Sequence, residues 1–114
     1  MSKRDEIIGK YIDQLKTKLD HEPDIDLLRK VTIACGPTIY RRDSSTVAAS
    51  DPKEVETVKR NFLIKKLGLI DNQRTDEGLR KVLGDYGSKA RTKYRAVVYY
   101  LLTKEFGRES VYDT

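Results

Sequence analysis

The stretch YRAVVYYLLTKEF, residues 94–106, decides the fold, because apolar or aromatic side chains cover nearly every side of it. At about 100° per residue, one broad apolar stripe is formed by Ala90, Tyr94, Val97, Val98 and Leu101. Leu102 and Phe106 widen the stripe, whereas Tyr99 and Tyr100 point away from it on opposite flanks. Since a surface helix needs only one apolar face, the pattern predicts a central helix packed between other helices or against a second subunit.

Four helices are predicted upstream of this segment from capping residues and from apolar side chains at three- and four-residue spacing. They run from Ser2 to Leu19, from Asp24 or Asp26 to Cys35, from the start signal Ser50-Asp51-Pro52 to Gly68, and from Thr75 to Gly87. Ser88 is predicted to cap the last helix, which runs to Phe106. Residues 38–50 are predicted to be irregular, with at most short helical turns. The fold class is therefore all-α, a compact bundle of about five helices in one domain, residues 1–114.

The composition of the chain and its single cysteine indicate where in the cell the protein is expected. The chain has 114 residues, of which 38% are hydrophobic and 36% charged. No apolar run approaches the roughly 18 residues needed to cross a bilayer, and the N-terminus lacks the apolar core of a secretory signal. The single cysteine, Cys35, cannot form an internal disulfide, which agrees with a reducing compartment. We therefore expect a cytoplasmic protein that does not bind membranes.

Two long strings carry a family resemblance over almost the entire chain. They are GPTIYRRDSSTVAASDPKEVETVKRNFLIKKLGL, residues 36–69, and YGSKARTKYRAVVYYLLTKEFGRESVY, residues 86–112. Together they resemble a family of small bacterial proteins known only as a domain of unknown function. The resemblance implies a bacterial, cytoplasmic, helical protein with no assigned activity, and it transfers no catalytic residue.

The positive charge is unevenly distributed along the chain. Residues 59–95 contain eleven Lys or Arg and four acids, a balance of +7, so the remaining residues sum to −2 of the net +5. Such asymmetry is what an anionic partner selects, although charge runs are more often solvated faces.

A cluster of cations at the start of the last predicted helix is the sharpest candidate site. Cations in the first turn oppose the helix dipole, so helix stability does not explain them there. With the free amide groups of a helix N-terminus they predict an anion or nucleic-acid site. Its residues are Ser88, Lys89, Arg91, Lys93 and Arg95, extended by Lys59, Arg60, Lys65 and Lys66 if the two helices are neighbours. The alternative is that these side chains are solvated or paired with acids.

Three aromatic residues suggest a subunit contact instead. Tyr99 and Tyr100 lie off the main stripe of the last helix, and Phe106 lies at its end. They are predicted as interface residues of a possible homodimer. The alternative is that each tyrosine buries its ring and keeps its hydroxyl on a hydrogen-bond partner.

The sequence offers little for metal binding or catalysis. His21 and Cys35 are the only soft or borderline metal ligands, and they form no cluster. His21 is expected to be a solvent-exposed loop residue, and Cys35 to lie on the apolar face of its helix. The segment 84–89, GDYGSK, lacks the phosphate-loop spacing. We expect no metal, no cofactor and no enzymatic activity.

Two functions follow from these features. The first is a non-catalytic protein-interaction or self-assembling module, with itself or another protein as partner. The alternative is nucleic-acid or phosphate binding through the basic region 59–95.

Overall fold

The computed structural model describes residues 2–113, and within them the chain forms five α-helices with short connections. The helices are α1 (Lys3–Thr17), α2 (Ile25–Cys35), α3 (Pro52–Val58), α4 (Gln73–Lys89) and α5 (Arg95–Glu105). A π-helical segment, Lys59–Ile64, continues α3, and 3₁₀ segments follow α2 at Gly36–Tyr40 and α5 at Glu109–Tyr112. The predicted all-α bundle is confirmed. The only β-type pairing in the described residues is an isolated bridge between Thr46 and Tyr94.

The ends of α1 and α2 follow the local signals in the sequence. The Ser2 hydroxyl accepts a hydrogen bond from the Asp5 amide at 3.1 Å, which caps α1. The Asp24 carboxylate accepts from the Leu27 amide at 3.1 Å and caps α2. Gly36, with φ of 65°, ends α2 in a backbone conformation that favours glycine.

The start of α3 falls within its predicted signal, and that of α4 is displaced. The cap of α3 is Asp51, whose carboxylate accepts a hydrogen bond from the Lys53 amide at 3.0 Å. The cap of α4 is Asn72, whose side-chain oxygen accepts from the Thr75 amide at 3.0 Å. Thr75 instead donates its hydroxyl to the Ile70 carbonyl and is buried. The α4 cap is therefore one favourable capping residue in place of another three positions later.

Helix α5 lies at the centre of the bundle, packed mainly between α2 and α4. Five of its apolar or aromatic side chains have no exposed surface, namely Ala96, Val97, Val98, Tyr100 and Leu102. Full burial of each Val or Leu contributes roughly 1.5–3 kcal/mol before entropy is subtracted. The chain returns to this core at its end, where Tyr112 is buried. The predicted role of residues 94–106 is therefore confirmed for the part that α5 occupies.

None of the helices within residues 2–113 combines the length and the apolar character that crossing a membrane requires.

Candidate functional site

The junction between α4 and α5 differs from the prediction. Helix α4 continues through Gly87 and Ser88 to Lys89, and α5 begins only at Arg95. Ser88 caps no helix, and its hydroxyl donates to the Asp85 carbonyl at 2.8 Å. The prediction that Ser88 caps the last helix is therefore wrong. Glycine weakens a helix by about 1 kcal/mol but does not force it to end, and the helical hydrogen bonding continues past Gly87, since the Ala90 amide donates to the Tyr86 carbonyl at 2.9 Å.

This correction removes the dipole argument for an anion site. Lys89 lies in the last turn of α4, where the negative end of the dipole favours a cation. Arg91 and Lys93 lie in the connection, and Arg95 is the first residue of α5. The N-terminus that Ser88 was predicted to cap does not exist, and the nearest helix N-terminus is that of α5, where Tyr94 provides no side-chain cap.

The α4–α5 connection is fixed by hydrogen bonds to two other parts of the chain. Gln14 on α1 donates its side-chain amide to the Thr92 carbonyl at 3.0 Å. The Val47 amide donates to the Lys93 carbonyl at 2.8 Å, and the Tyr94 amide donates to the Tyr86 hydroxyl at 3.0 Å. These bonds hold the backbone of the connection in place while its charged side chains remain at the surface.

Four cations gather around this connection and form what we call the basic surface: Lys10, Lys89, Arg91 and Lys93. The Lys10 ammonium lies 5.7 Å from the centre of the Tyr94 ring. The Lys93 side chain passes over Gly87, where its Cδ and Nζ lie 3.8 Å from the position that a β-carbon would take. None of the four forms an ion pair within residues 2–113.

Arg95 has a different environment from its neighbours in the sequence. Its Nη2 atom lies 2.6 Å from Glu54 Oε1 on α3, and its Nε atom donates to the Ser44 carbonyl at 2.7 Å. Two weaker bonds reach the Thr46 carbonyl at 3.4 Å and the Tyr99 hydroxyl at 3.2 Å. The guanidinium therefore joins α5, α3 and the segment before α3, and is committed within the chain.

Lys59 and Arg60 are also engaged by carboxylates. The Lys59 ammonium lies 2.6 Å from Asp71 and 2.8 Å from Asp76, and these bonds raise the pKa of Lys59. The same ammonium lowers the pKa of Asp71. Arg60 pairs with Glu56 one turn earlier at 2.7 Å. The two residues are structural ion-pair partners in this fold.

Lys65 and Lys66 complete the predicted set. Lys65 is exposed and forms no ion pair within residues 2–113, whereas the Lys66 ammonium lies 5.0 Å from the Tyr112 ring centre. Lys66 also lines a small cleft of about 190 Å³ with Cys35. These contacts involve other elements than those of the basic surface, so the structure brings the 89–93 cations together with Lys10 and not with the 59–66 group.

The three predicted interface rings have partners inside the chain. Tyr99 stacks on Phe62, with ring centres 3.9 Å apart and planes at 8°. Tyr100 has no exposed surface. The Phe106 ring lies against Gly78, where a β-carbon would be 2.9 Å from Cε1 of the ring. The excess of aromatic residues on α5 is therefore used within one chain, and Tyr100 is not accessible to a second subunit.

His21 is half-buried and not the solvent-exposed loop residue that was expected. Its Nε2 atom lies 2.8 Å from the Tyr100 hydroxyl, which also accepts from the Asp24 amide at 2.9 Å. Which of the two groups donates in the bond between His21 and Tyr100 depends on the imidazole tautomer. Burial, and then the nearby Lys104 ammonium, lower the pKa of His21. No sequence signal pairs these residues, because 79 positions separate them.

Cys35 and the acids were the remaining candidates for chemistry in the sequence. Burial raises the pKa of the Cys35 thiol to about 11, so the thiol is protonated at neutral pH. Within residues 2–113, no group of three or more His, Cys, Asp or Glu side chains is placed to hold a metal ion.

Comparison with known proteins places the chain in a family. The family model described as "Protein of unknown function (DUF2853)" matches residues 10–110. No curated protein matches the chain. The match covers α2 to α5, the second half of α1 and the whole basic surface. The chain therefore belongs to the DUF2853 family of proteins of unknown function.

Proposed function

We propose that this protein is a non-catalytic binding protein and that its basic surface binds nucleic acid. One observation carries the proposal: Lys10, Lys89, Arg91 and Lys93 surround a connection whose backbone is fixed, and they form no ion pair within residues 2–113. Residues 86–95 contain no acid. Of the 23 Lys and Arg, 19 lie outside the basic surface, and eight of these are paired with carboxylates within residues 2–113. The basic surface is therefore distinguished by the grouping of four unpaired cations around one connection and not by their being unpaired alone.

Phosphate groups are the natural partner of such a surface. Lys and Arg side chains displace counterions from nucleic acid, and this release supplies most of sequence-independent affinity. A fixed backbone reduces the entropy lost when the side chains engage a ligand. The net charge of +5 adds long-range attraction for any polyanion.

The test is binding of labelled DNA and RNA oligonucleotides, followed by fluorescence anisotropy from about 50 to 200 mM salt. The variant Lys89→Ala/Arg91→Ala/Lys93→Ala removes three charges of the basic surface. Its matched control, Lys53→Ala/Lys65→Ala/Arg74→Ala, removes three exposed charges that also lack ion pairs within residues 2–113. Both variants have the same net charge, so they differ only in where the charge is lost.

We expect the first variant to bind at least about tenfold more weakly and to lower the slope of log K against log salt by about 2–3, since each lost phosphate contact accounts for about 0.7–0.9. The control should bind within about threefold of wild type. Absence of binding at the lowest salt, or equal weakening by both variants, would overturn the proposal.

A protein-interaction or self-assembling module is the second candidate, and a separate observation favours it. Four large apolar side chains are exposed: Ile25 at 46%, Ile33 at 48%, Tyr40 at 47% and Ile70 at 74%. Ile25 and Ile33 lie on the outer side of α2, about 80° apart around its axis. Sedimentation velocity over a range of concentrations tests this candidate. A concentration-dependent dimer that Ile33→Glu abolishes supports it, and a monomer throughout eliminates self-assembly.

A cytoplasmic location in a bacterium belongs to the same proposal. The single cysteine leaves no internal disulfide to maintain, which suits a reducing compartment. The bacterial source rests on the family resemblance of residues 36–69 and 86–112.

A further inference from the structure

A cleft of about 290 Å³ that includes Lys89 of the basic surface opens between the α1–α2 connection, the second half of α4 and the second half of α5. Its apolar lining comes from Leu19, Val82, Tyr86 and Leu101, and Lys89 lies at its rim. Lys89 therefore belongs both to this cleft and to the basic surface.

The rim of the cleft contains charges of both signs. Besides Lys89 it holds Lys104, which lies 3.6 Å from Asp24 and 3.7 Å from Glu109. It also holds Asp85, together with Glu105, which lies 3.3 Å from Lys81. Carboxylates at the rim disfavour entry of a phosphate. A neutral, flat group that both donates and accepts hydrogen bonds suits an apolar floor with such a rim.

We infer that the cleft accepts an unpaired base, and that the nucleic acid bound by the basic surface is single-stranded. The inference rests on the proposed function, because the basic surface must hold the phosphates that bring a base to the cleft. Proteins that bind single strands combine a cationic path for the backbone with aromatic rings on which the bases stack, and in this cleft the half-buried ring of His21 is the accessible one, beside the apolar side chains of Leu19 and Leu101. Here the path is Lys10, Lys93, Arg91 and Lys89, and the surface is the cleft lining.

The experiment compares three probes of equal length, about 15 nucleotides, which lies in the range of known single-strand sites. They are a single-stranded DNA, the same DNA made entirely of abasic sites, and a duplex of that sequence. The abasic probe keeps every phosphate and lacks every base. Because the same wild-type protein is used with each probe, a difference in affinity reports on the bases alone. Anisotropy at constant low salt gives the three affinities.

Two variants at Leu101, which is half-buried and lines the cleft, locate the effect. Leu101→Trp fills the cleft with a larger side chain, and Leu101→Met is the control of similar volume. Thermal unfolding of both verifies that they fold. His21, which also lines the cleft, provides an independent readout, because its ring NMR signals should shift with the single strand and not with the abasic probe.

We expect the single strand to bind about fivefold or more tightly than the abasic probe, the lower end of what one stacked base contributes. Leu101→Trp should lose that difference, and Leu101→Met should keep it. Equal binding of the single strand and the abasic probe, or a base-dependent difference that Leu101→Trp leaves intact, would overturn the inference while the proposed function stands. No binding of any probe would overturn both.

Discussion

Replacing Arg95 with Met should destabilise the fold by about 2–4 kcal/mol. The side chains of Arg95 and Glu54 are only 13% and 28% exposed and lie 2.6 Å apart. Loss of one partner of a buried ion pair costs about 3–5 kcal/mol, because the other charge is left without compensation. Partial exposure of Glu54 reduces this cost. The substitution also removes the Arg95 Nε donor, 2.7 Å from the Ser44 carbonyl, and the unpaired carbonyl adds to the cost.

Urea unfolding followed by circular dichroism measures the change. With m of about 1.5 kcal/mol per molar, a loss of 3 kcal/mol lowers the midpoint by about 2 M. Arg95→Lys keeps the charge but not the planar fork that reaches Glu54 and Ser44 together, so we expect an intermediate loss. Arg91→Met, at an exposed position without an ion pair in residues 2–113, is the control and should stay within about 0.5 kcal/mol of wild type. If Arg95→Met also stays in that range, the network contributes nothing to stability.

Three further predictions concern other buried or crowded groups. Burial and Lys104 lower the pKa of His21 in the folded protein, so the unfolded chain binds a proton at His21 more readily than the folded chain does. The free energy of unfolding should therefore be at its full value above about pH 6.5 and should decrease as the pH falls below that value. Urea midpoints against pH should show this decline for wild type and less of it for His21→Gln, and identical profiles would contradict the prediction. Gly78→Ala should stabilise α4 by at most about 1 kcal/mol through the higher helix propensity of alanine. The new β-carbon would collide with the Phe106 ring, and the displacement of that ring should cancel the gain. In a Phe106→Ala background the same change should therefore stabilise, which a double-mutant cycle checks, and an equal effect in both backgrounds would refute the clash. The raised pKa of Cys35, about 11, predicts labelling by a disulfide reagent that is about a hundredfold slower in the native state than in urea; equal rates would show that the thiol is accessible.

Much of the architecture could be predicted because its signals are local. The side chains of Ser2 and Asp24 cap helices by accepting hydrogen bonds from backbone amides three residues later in the chain. Gly36 and Gly68 have φ of 65° and 73°, at the two helix ends that the sequence assigned to them. In α5, Val97 and Val98 of the predicted stripe are buried, whereas Leu101 is only half-buried and Tyr100, which was predicted to lie off the stripe, is fully buried. Where a prediction is confirmed, the residues that decide the structure lie within one or two helical turns of one another.

The candidate site could not be predicted in the same way, since it depends on contacts between distant residues. Serine is a favourable N-cap residue, yet α4 continues through Ser88. The contact that goes with this is made at a distance of eight residues, where the Tyr86 hydroxyl accepts a hydrogen bond from the Tyr94 amide. Arg95 looked free because its carboxylate partner, Glu54, lies 41 positions away. No spacing rule in a single sequence relates such pairs, so the distinction between a structural cation and an available one required the structure.

The four cations of the basic surface also differ in how many contacts they make within the fold. Lys89 gains from the dipole at the end of α4. Lys10 lies over the Tyr94 ring at 5.7 Å, and the Lys93 ammonium donates to the Arg91 carbonyl at 3.4 Å. The Arg91 side chain is exposed and forms no hydrogen bond, ion pair or aromatic contact within residues 2–113. Because stability does not account for a guanidinium at this position, a loss of binding in an Arg91 variant would report on the ligand and not on the fold.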